Sequence, residues 1–327
     1  PLYHEQLAHP HVDDPHWAPL DYHAHLAEWT VPTLLVEGWH DYPLLRVVED
    51  YSALRRSPAP VWLRIGAGGH IGGGGEGGMT DAPLAWFDTF LRGQSGLLPD
   101  HPVTVDVQGA GGGWRHLADW PPSPDRTRWF LHAEGRLATA APTDPSEPDR
   151  YRYDPTDPTP SMGGIGMLTG GAVDNRPLEG RDDVVVYTSG VLDEALEVIG
   201  PVEARLRVSS SLDHTDFFVR LCDVHPDGAS INICDGIRRL DPSTIDRQPD
   251  ATFDVTVVLW PAAHRFGPGH RIRLQVSSGA HPVFARNLGT GEAVAVATVS
   301  RPADQAVFHE PGRLSWVTLP HRSGGHW

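Results

Sequence analysis

The sequence predicts two architectures in series: the end of a doubly wound parallel α/β sheet, then an all-β sandwich of jelly-roll type. Three observations carry this reading. Two short apolar runs near the start, Val31–Val36 and Val61–Ile65, each end in glycine and are each followed by a helical pattern. From Pro102 onward the helical spacing stops, and alternating strands separated by turn residues take over. At 327 residues the chain is long for one ordinary domain and comfortable for two, which places the expected division at 1–100 and 101–327.

In the first part, Val31-Pro32-Thr33-Leu34-Leu35-Val36 reads as a buried strand leading into Gly38-Trp39-His40-Asp41. Pro43 to about Arg56 repeats Leu44, Leu45, Val47, Val48, Tyr51 and Leu54 at helical spacing. A second strand, Val61-Trp62-Leu63-Arg64-Ile65, leads into Gly66-Ala67-Gly68-Gly69-His70. Asp81-Ala82-Pro83 is expected to open another helix with Asp81 as its N-cap, and Gly93 to close it. The second part reads as strands over 126–132, 183–189, 202–209, 216–224, 231–234, 253–260, 271–277 and 314–319. His225-Pro226-Asp227-Gly228 and Gly267-Pro268-Gly269-His270 are its turn signals, and 136–180 is expected to be a long surface loop.

Composition removes several function classes. A net charge of −16 argues against nucleic acid or an anionic membrane surface as partner. The basic residues are all arginine, so Schiff-base, P-loop-lysine and Ser–Lys chemistry are excluded. No apolar run approaches the length of a membrane span, and the start lacks the basic and apolar regions of a secretory signal. With Cys222 and Cys234 read as buried reduced thiols, a cytoplasmic location is the expectation. The glycines of 66–78 have no lysine or Ser/Thr at P-loop spacing, which removes a nucleotide cradle. His9-Pro10-His11 and His23-Ala24-His25 are taken as surface histidines, and Asp216, Asp223 and Asp227 as hairpin residues, so neither a metal nor a cofactor is expected.

An Asp and then a His just past the carboxyl ends of successive parallel strands stand where an open sheet gathers its chemistry. They follow the acid-then-base order of a nucleophile–acid–base triad. The chain resembles the C-terminal part of the X-prolyl dipeptidyl-peptidase, cocaine-esterase and cephalosporin-acylase group of serine hydrolases. The resemblance runs in order through Gly38-Trp39-His40-Asp41, the Gly66–His70 turn, Trp86-Phe87-Asp88 to Gly93, Trp114-Arg115 to Trp120-Pro121-Pro122, and Tyr153-Asp154-Pro155 to Gly163-Gly164. It continues through Asp223-Val224-His225-Pro226-Asp227-Gly228 and Gly269-His270-Arg271-Ile272-Arg273-Leu274. It implies an α/β-hydrolase core followed by a jelly roll, with Asp41 as triad acid and His70 as base. Trp39 and His40 are candidates to shape the acyl pocket, with packing as their alternative role. Members of the group usually carry Pro and Trp where this chain has Ala67 and Gly68. With the glycine run that follows, this predicts a loosened loop around His70.

A nucleophile elbow requires Gly-x-Ser-x-Gly, and no serine here has glycine two residues away on both sides. Ser95 has Gly93 before it, but Leu97 after it, and it follows a helix. The resemblance puts the elbow upstream of Pro1. The chain by itself is therefore expected to be inactive, since losing a triad serine costs of the order of a million-fold in turnover. An open apolar edge is expected on the parallel sheet. The expected substrate is a small-molecule ester or amide, or a peptide. A complementary N-terminal hydrolase chain is the expected protein partner, with homo-oligomerisation left open. The competing readings are an inactive remnant and a jelly-roll binding module, whose aromatic platform would be Trp114, Trp120 and Trp129; tryptophans buried against the first hundred residues would count against that module.

Overall fold

The computed structural model describes residues 2–9, 14–122, 125–167, 170–293 and 296–322. After a short helix α1 (Leu2–Leu7), strand β1 (Thr33–Gly38), helix α2 (Leu44–Leu54), strand β2 (Val61–Gly66) and helix α3 (Asp81–Arg92) follow in the predicted order. β1 and β2 are parallel and in register from Thr33↔Val61 to Gly38↔Gly66, so both strands stop at the same level. β3 (Val103–Gly109) joins β2 in parallel, and β4 (Gly113–Leu117) turns back against β3. The helix of Pro43–Arg56 forms as read. The start of α3 differs by one residue: Thr80 is the N-cap, and Asp81 is the first helical residue. There its charge still favours the positive helix end. Gly93 closes the helix in the left-handed region at φ 69°, as its position predicts.

β5 (Asp125–His132), β6 (Arg136–Ala138), β7 (Asp149–Tyr153), α4 (Arg176–Glu179), β8 (Val185–Ser189) and β9 (Leu196–Gly200) lead into the all-β part. There follow β10 (Glu203–Ser210), β11 (Thr215–Val224), β12 (Ser230–Leu240), β13 (Phe253–Val258), β14 (Ala262–Phe266), β15 (Arg271–Ser277), β16 (Ala303–Phe308) and β17 (Trp316–His321). Their ladders curl round one apolar core that includes Tyr187, Phe217, Leu221, Phe253, Phe266 and Leu319. The fold class is thus α/β plus all-β. The expected loop over 136–180 contains β6, β7 and α4, although most of it is irregular.

β12 is much longer than the predicted 231–234. Asp235-Gly236 looks like a turn in the sequence, but Asp235 is buried in an ion pair with Arg220 at 2.7 Å. A Cβ on Gly236 would come within 2.2 Å of the Val258 carbonyl, so glycine there serves a close approach rather than a turn. Cys222 and Cys234 are free and buried on adjacent strands.

A second core joins the two parts. Leu44, Tyr51, Leu63, Ile65, Val105 and Trp120 pack together with Ile199 and Ala263 from the all-β strands. β14 also continues the end of β3, pairing His264 with Gln108. On the far side, β1 pairs with β2 alone among the described residues. No described helix is long and apolar enough to cross a membrane.

Candidate active site

Gly38 and Gly66 end their strands side by side, and the chain leaves each in a tight turn. Asp41 Oδ2 and His70 Nδ1 meet at 3.0 Å. Carboxylate oxygens only accept, so Nδ1 carries a proton, and in the neutral imidazole Nε2 is the nitrogen with the lone pair. The Asp41 side chain is 4% exposed and that of His70 is 43% exposed. Asp41 Oδ1 accepts the Tyr42 amide at 2.8 Å, which fixes the carboxylate plane. Asp41 could instead have capped the following helix, but Pro43 occupies the N-cap and no side chain caps it.

The glycine loop is tied down, in contrast to the looseness expected from its composition. A Cβ on Gly38 would come 2.5 Å from the Gly68 carbonyl, and one on Gly66 would come 2.1 Å from the Gly74 backbone. Strand ends and loop therefore pack backbone to backbone, which only glycine permits. The Gly74 amide donates to the Glu37 carbonyl at 2.6 Å, and the His40 amide to the Gly68 carbonyl at 3.0 Å. Arg64 donates from Nε to the Gly74 carbonyl at 2.9 Å and from its guanidinium to the Glu76 carbonyl at 2.7 Å. The Arg64 guanidinium also lies 3.9 Å above the Trp114 ring.

Several contributors were not legible as site residues. Glu37 is buried beside the dyad, and its Oε1 accepts the Gly38 amide at 3.1 Å. Burial, and then its hydrogen bond with Asp41, push the Glu37 carboxyl up to about 7. The Tyr42 ring flanks His70 at 5.4 Å between centroids. From the all-β part, the Gly166 amide donates to the His40 carbonyl at 3.0 Å, so the 163–167 segment reaches the site. That segment is anchored by Arg220, which donates to the Met162 carbonyl and to Asn175 Oδ1, both at 2.6 Å.

Trp39 is buried, donates to the Asp106 carbonyl at 2.7 Å and lies 6.1 Å from Trp120. His40 is buried too, and burial lowers its pKa. Trp120 belongs to the joining core, and Trp129 packs on the all-β core. Trp114 lies beneath Arg64. The three tryptophans therefore do not form an exposed row. His9 and His23 pair with Asp14 and Asp50, each at 2.9 Å; His11 lies outside the described residues.

The X-Pro dipeptidyl-peptidase C-terminal non-catalytic domain matches residues 98–318, and X-Pro dipeptidyl-peptidase (S15 family) matches 1–72. The chain belongs to the X-Pro dipeptidyl-peptidase and cocaine esterase family. It is 33% identical to the cocaine esterase of Rhodococcus sp. (strain MB1 Bresler), over 95% of this chain and 60% of that protein. It is 31% identical to a putative serine esterase of Mycobacterium bovis, over 62% of this chain and 36% of that protein. The chain thus spans 60% or less of the length of the curated relatives named here. In structure it is similar to an α-amino acid ester hydrolase (TM-score 0.87, 23% identity, covering 98% of this chain and 61% of that one). It is also similar to an aminopeptidase from a marine-sediment Thaumarchaeota archaeon (TM-score 0.85, 24% identity, 98% and 60% coverage). These two likenesses bear on the fold of the family alone.

Proposed function

We propose that this chain supplies the acid and the base of a serine hydrolase that cleaves ester or amide bonds through an acyl-enzyme. The observation that carries the reading is the Asp41–His70 pair: a buried carboxylate holding Nδ1 at 3.0 Å, with the opposite edge of a part-exposed imidazole available to a nucleophile. His70 Nε2 takes the serine proton as the acyl bond forms, and returns it to the leaving group as the tetrahedral intermediate collapses. Asp41 fixes the tautomer and stabilises the imidazolium formed between those steps. The serine, and the donors that stabilise the oxyanion, come from a segment outside these 327 residues. That segment packs against the open edge of β1. The curated relatives, a cocaine esterase and a putative serine esterase, favour a small-molecule ester as substrate, and the X-Pro dipeptidyl-peptidase family keeps a peptide amide as the alternative.

The division is placed at 1–100 for the hydrolase portion and 101–327 for a jelly roll, with β3 and β4 crossing back into the hydrolase sheet. In this arrangement the 163–167 segment of the jelly roll helps to wall the site through the bond of Gly166 to His40. The test is hydrolysis of an activated ester by the chain alone and by the chain with its complementary segment. Turnover is expected only in the second case, and only with His70 intact. Turnover by the isolated chain that disappears in His70→Ala would overturn the claim that the serine lies elsewhere.

A further inference from the structure

A second Asp–His constellation lies in the all-β part. β11 and β15 are antiparallel neighbours, paired at Asp223↔Ile272 and Val224↔Arg271. His225 follows the last pair on one strand and His270 precedes it on the other, so continuing the ladder sets the two imidazoles opposite each other. Their ring centroids are 4.7 Å apart. Asp223 is two residues before His225, hence on the same face of the strand. The three side chains each present one ligand atom, and these atoms lie within 4.8 Å of one another.

We propose that Asp223, His225 and His270 bind a divalent transition-metal ion of the zinc type. Magnitudes support the fit. Zinc bonds of about 2.0–2.2 Å in tetrahedral geometry set ligand atoms about 3.3 Å apart. Asp223 Oδ1 is 2.8 Å from His270 Nδ1, and Asp223 Oδ2 is 3.6 Å from His225 Nε2. The three ligand atoms lie within 4.8 Å of one another, so closing on an ion needs side-chain movements of no more than about 1.5 Å. The 3.6 Å separation is too long for a hydrogen bond, so the His225 ring is placed beside a carboxylate that does not hold it. Two imidazoles and one carboxylate select zinc-like ions over calcium or magnesium, which prefer all-oxygen sites.

The surroundings are those of a built site. His264 Nε2 donates to Asp223 Oδ2 at 2.9 Å, orienting the carboxylate as outer partners of a metal ligand do. Burial alone would raise the Asp223 carboxyl, but its bonds to His264 and His270 outweigh that and hold it below the usual carboxylate range. Both ligand loops are held by backbone bonds. The Gly228 amide donates to the His225 carbonyl at 2.9 Å, the Leu192 amide to the His270 carbonyl at 2.8 Å, and the Gly269 amide to the Leu192 carbonyl at 2.8 Å. The His225 side chain is 37% exposed, which leaves an entry path and room for a solvent ligand. On binding, the His270 Nδ1 proton passes to solvent, the Nδ1–H···Oδ1 bond gives way to metal–nitrogen and metal–oxygen bonds, and His264 keeps its own. The ion staples the β11–β12 turn to the β14–β15 loop, beside the strand that joins the two parts of the fold.

The test uses the full chain, stripped with chelator and titrated with zinc against a chromophoric competitor, then with cobalt(II). Expected are one tightly held zinc per chain, a visible cobalt spectrum of a four-coordinate site, and a rise in Tm on adding zinc. His225→Ala, at a part-exposed position, should keep the chelator-treated Tm of the parent, bind zinc at least tenfold more weakly and lose the zinc-dependent rise. His23→Ala should bind like the parent. Absence of stoichiometric uptake, or unchanged binding by His225→Ala, would overturn the proposal.

Discussion

Of the aspartates that hold histidines in this molecule, Asp41 and Asp223 do so in opposite ways. Asp41 gives one oxygen to His70 and the other to a backbone amide, leaving one ring nitrogen of a part-exposed imidazole free of partners among the described residues. Asp223 gives its oxygens to His264 and His270, whose side chains are only 8% and 11% exposed, with His225 close by. The first pair spends little on enclosure and keeps a base accessible. The second closes on itself across three strands and fastens the fold. An Asp–His contact is therefore not a triad signature; what matters is where the second nitrogen points and whether substrate can reach it.

The largest effect expected from this contrast is on rate. In the complete enzyme, His70→Ala should lower kcat by about a million-fold, as loss of the triad histidine does in subtilisin. His264→Ala should change it no more than a few-fold. Comparable losses from both variants, in initial rates with an activated ester, would erase the distinction.

Stability should show the reverse ranking. Asp223→Ala strands two nearly buried imidazoles and should cost about 2–3 kcal/mol in chelator-treated protein. Asp41→Ala leaves a histidine that water can solvate, and should cost about 1 kcal/mol. Urea midpoints of the two variants measured side by side give the comparison.

The rigidity of the His70 loop can be tested at Gly66. A methyl there meets the Gly74 backbone at 2.1 Å, so the loop must shift. Gly66→Ala should reduce kcat by about a hundred-fold, the typical result of misplacing a catalytic group by about 1 Å. An unchanged kcat would mean that the loop adapts.

A further effect, visible only as a pH dependence, concerns Glu37. Its carboxyl is raised from 4.5 to about 7, so between those values the unfolded chain loses its proton first. Stability therefore falls as pH rises through that window and the penalty is full above it, reaching about 3 kcal/mol at most. Glu37→Gln should remove this penalty. Its urea midpoint should gain on the parent between pH 5 and pH 8; a parallel pH dependence in the two proteins would contradict the assignment.

What could be seen in the sequence was local. Asp41 and His70 each follow an apolar run that ends in glycine, and α2 and α3 carry clean helical spacing. β9, β14 and β16 went unread because they are short and their identity as strands comes from partners far along the chain: Ala262–Phe266 is held by β9 and β3. Glu37 looked like a strand residue, and Tyr42 and Gly166 carried no sign of their place beside the dyad. His264 and His270 lie 41 and 47 residues from Asp223, so their convergence on it depended on the folded ladders. The glycine run illustrates the limit from the other side. Composition suggested slack, while the close approach of two strand ends to the loop made glycine the only residue that fits.

The most direct test of the central claim is a serine-reactive phosphonate, applied to the natively expressed protein with whatever accompanies it, followed by mapping of the labelled peptide. The account predicts a label on a serine outside residues 1–327, lost when His70 is replaced by alanine. A label on a serine within these residues, no label at all, or labelling indifferent to His70 would contradict it.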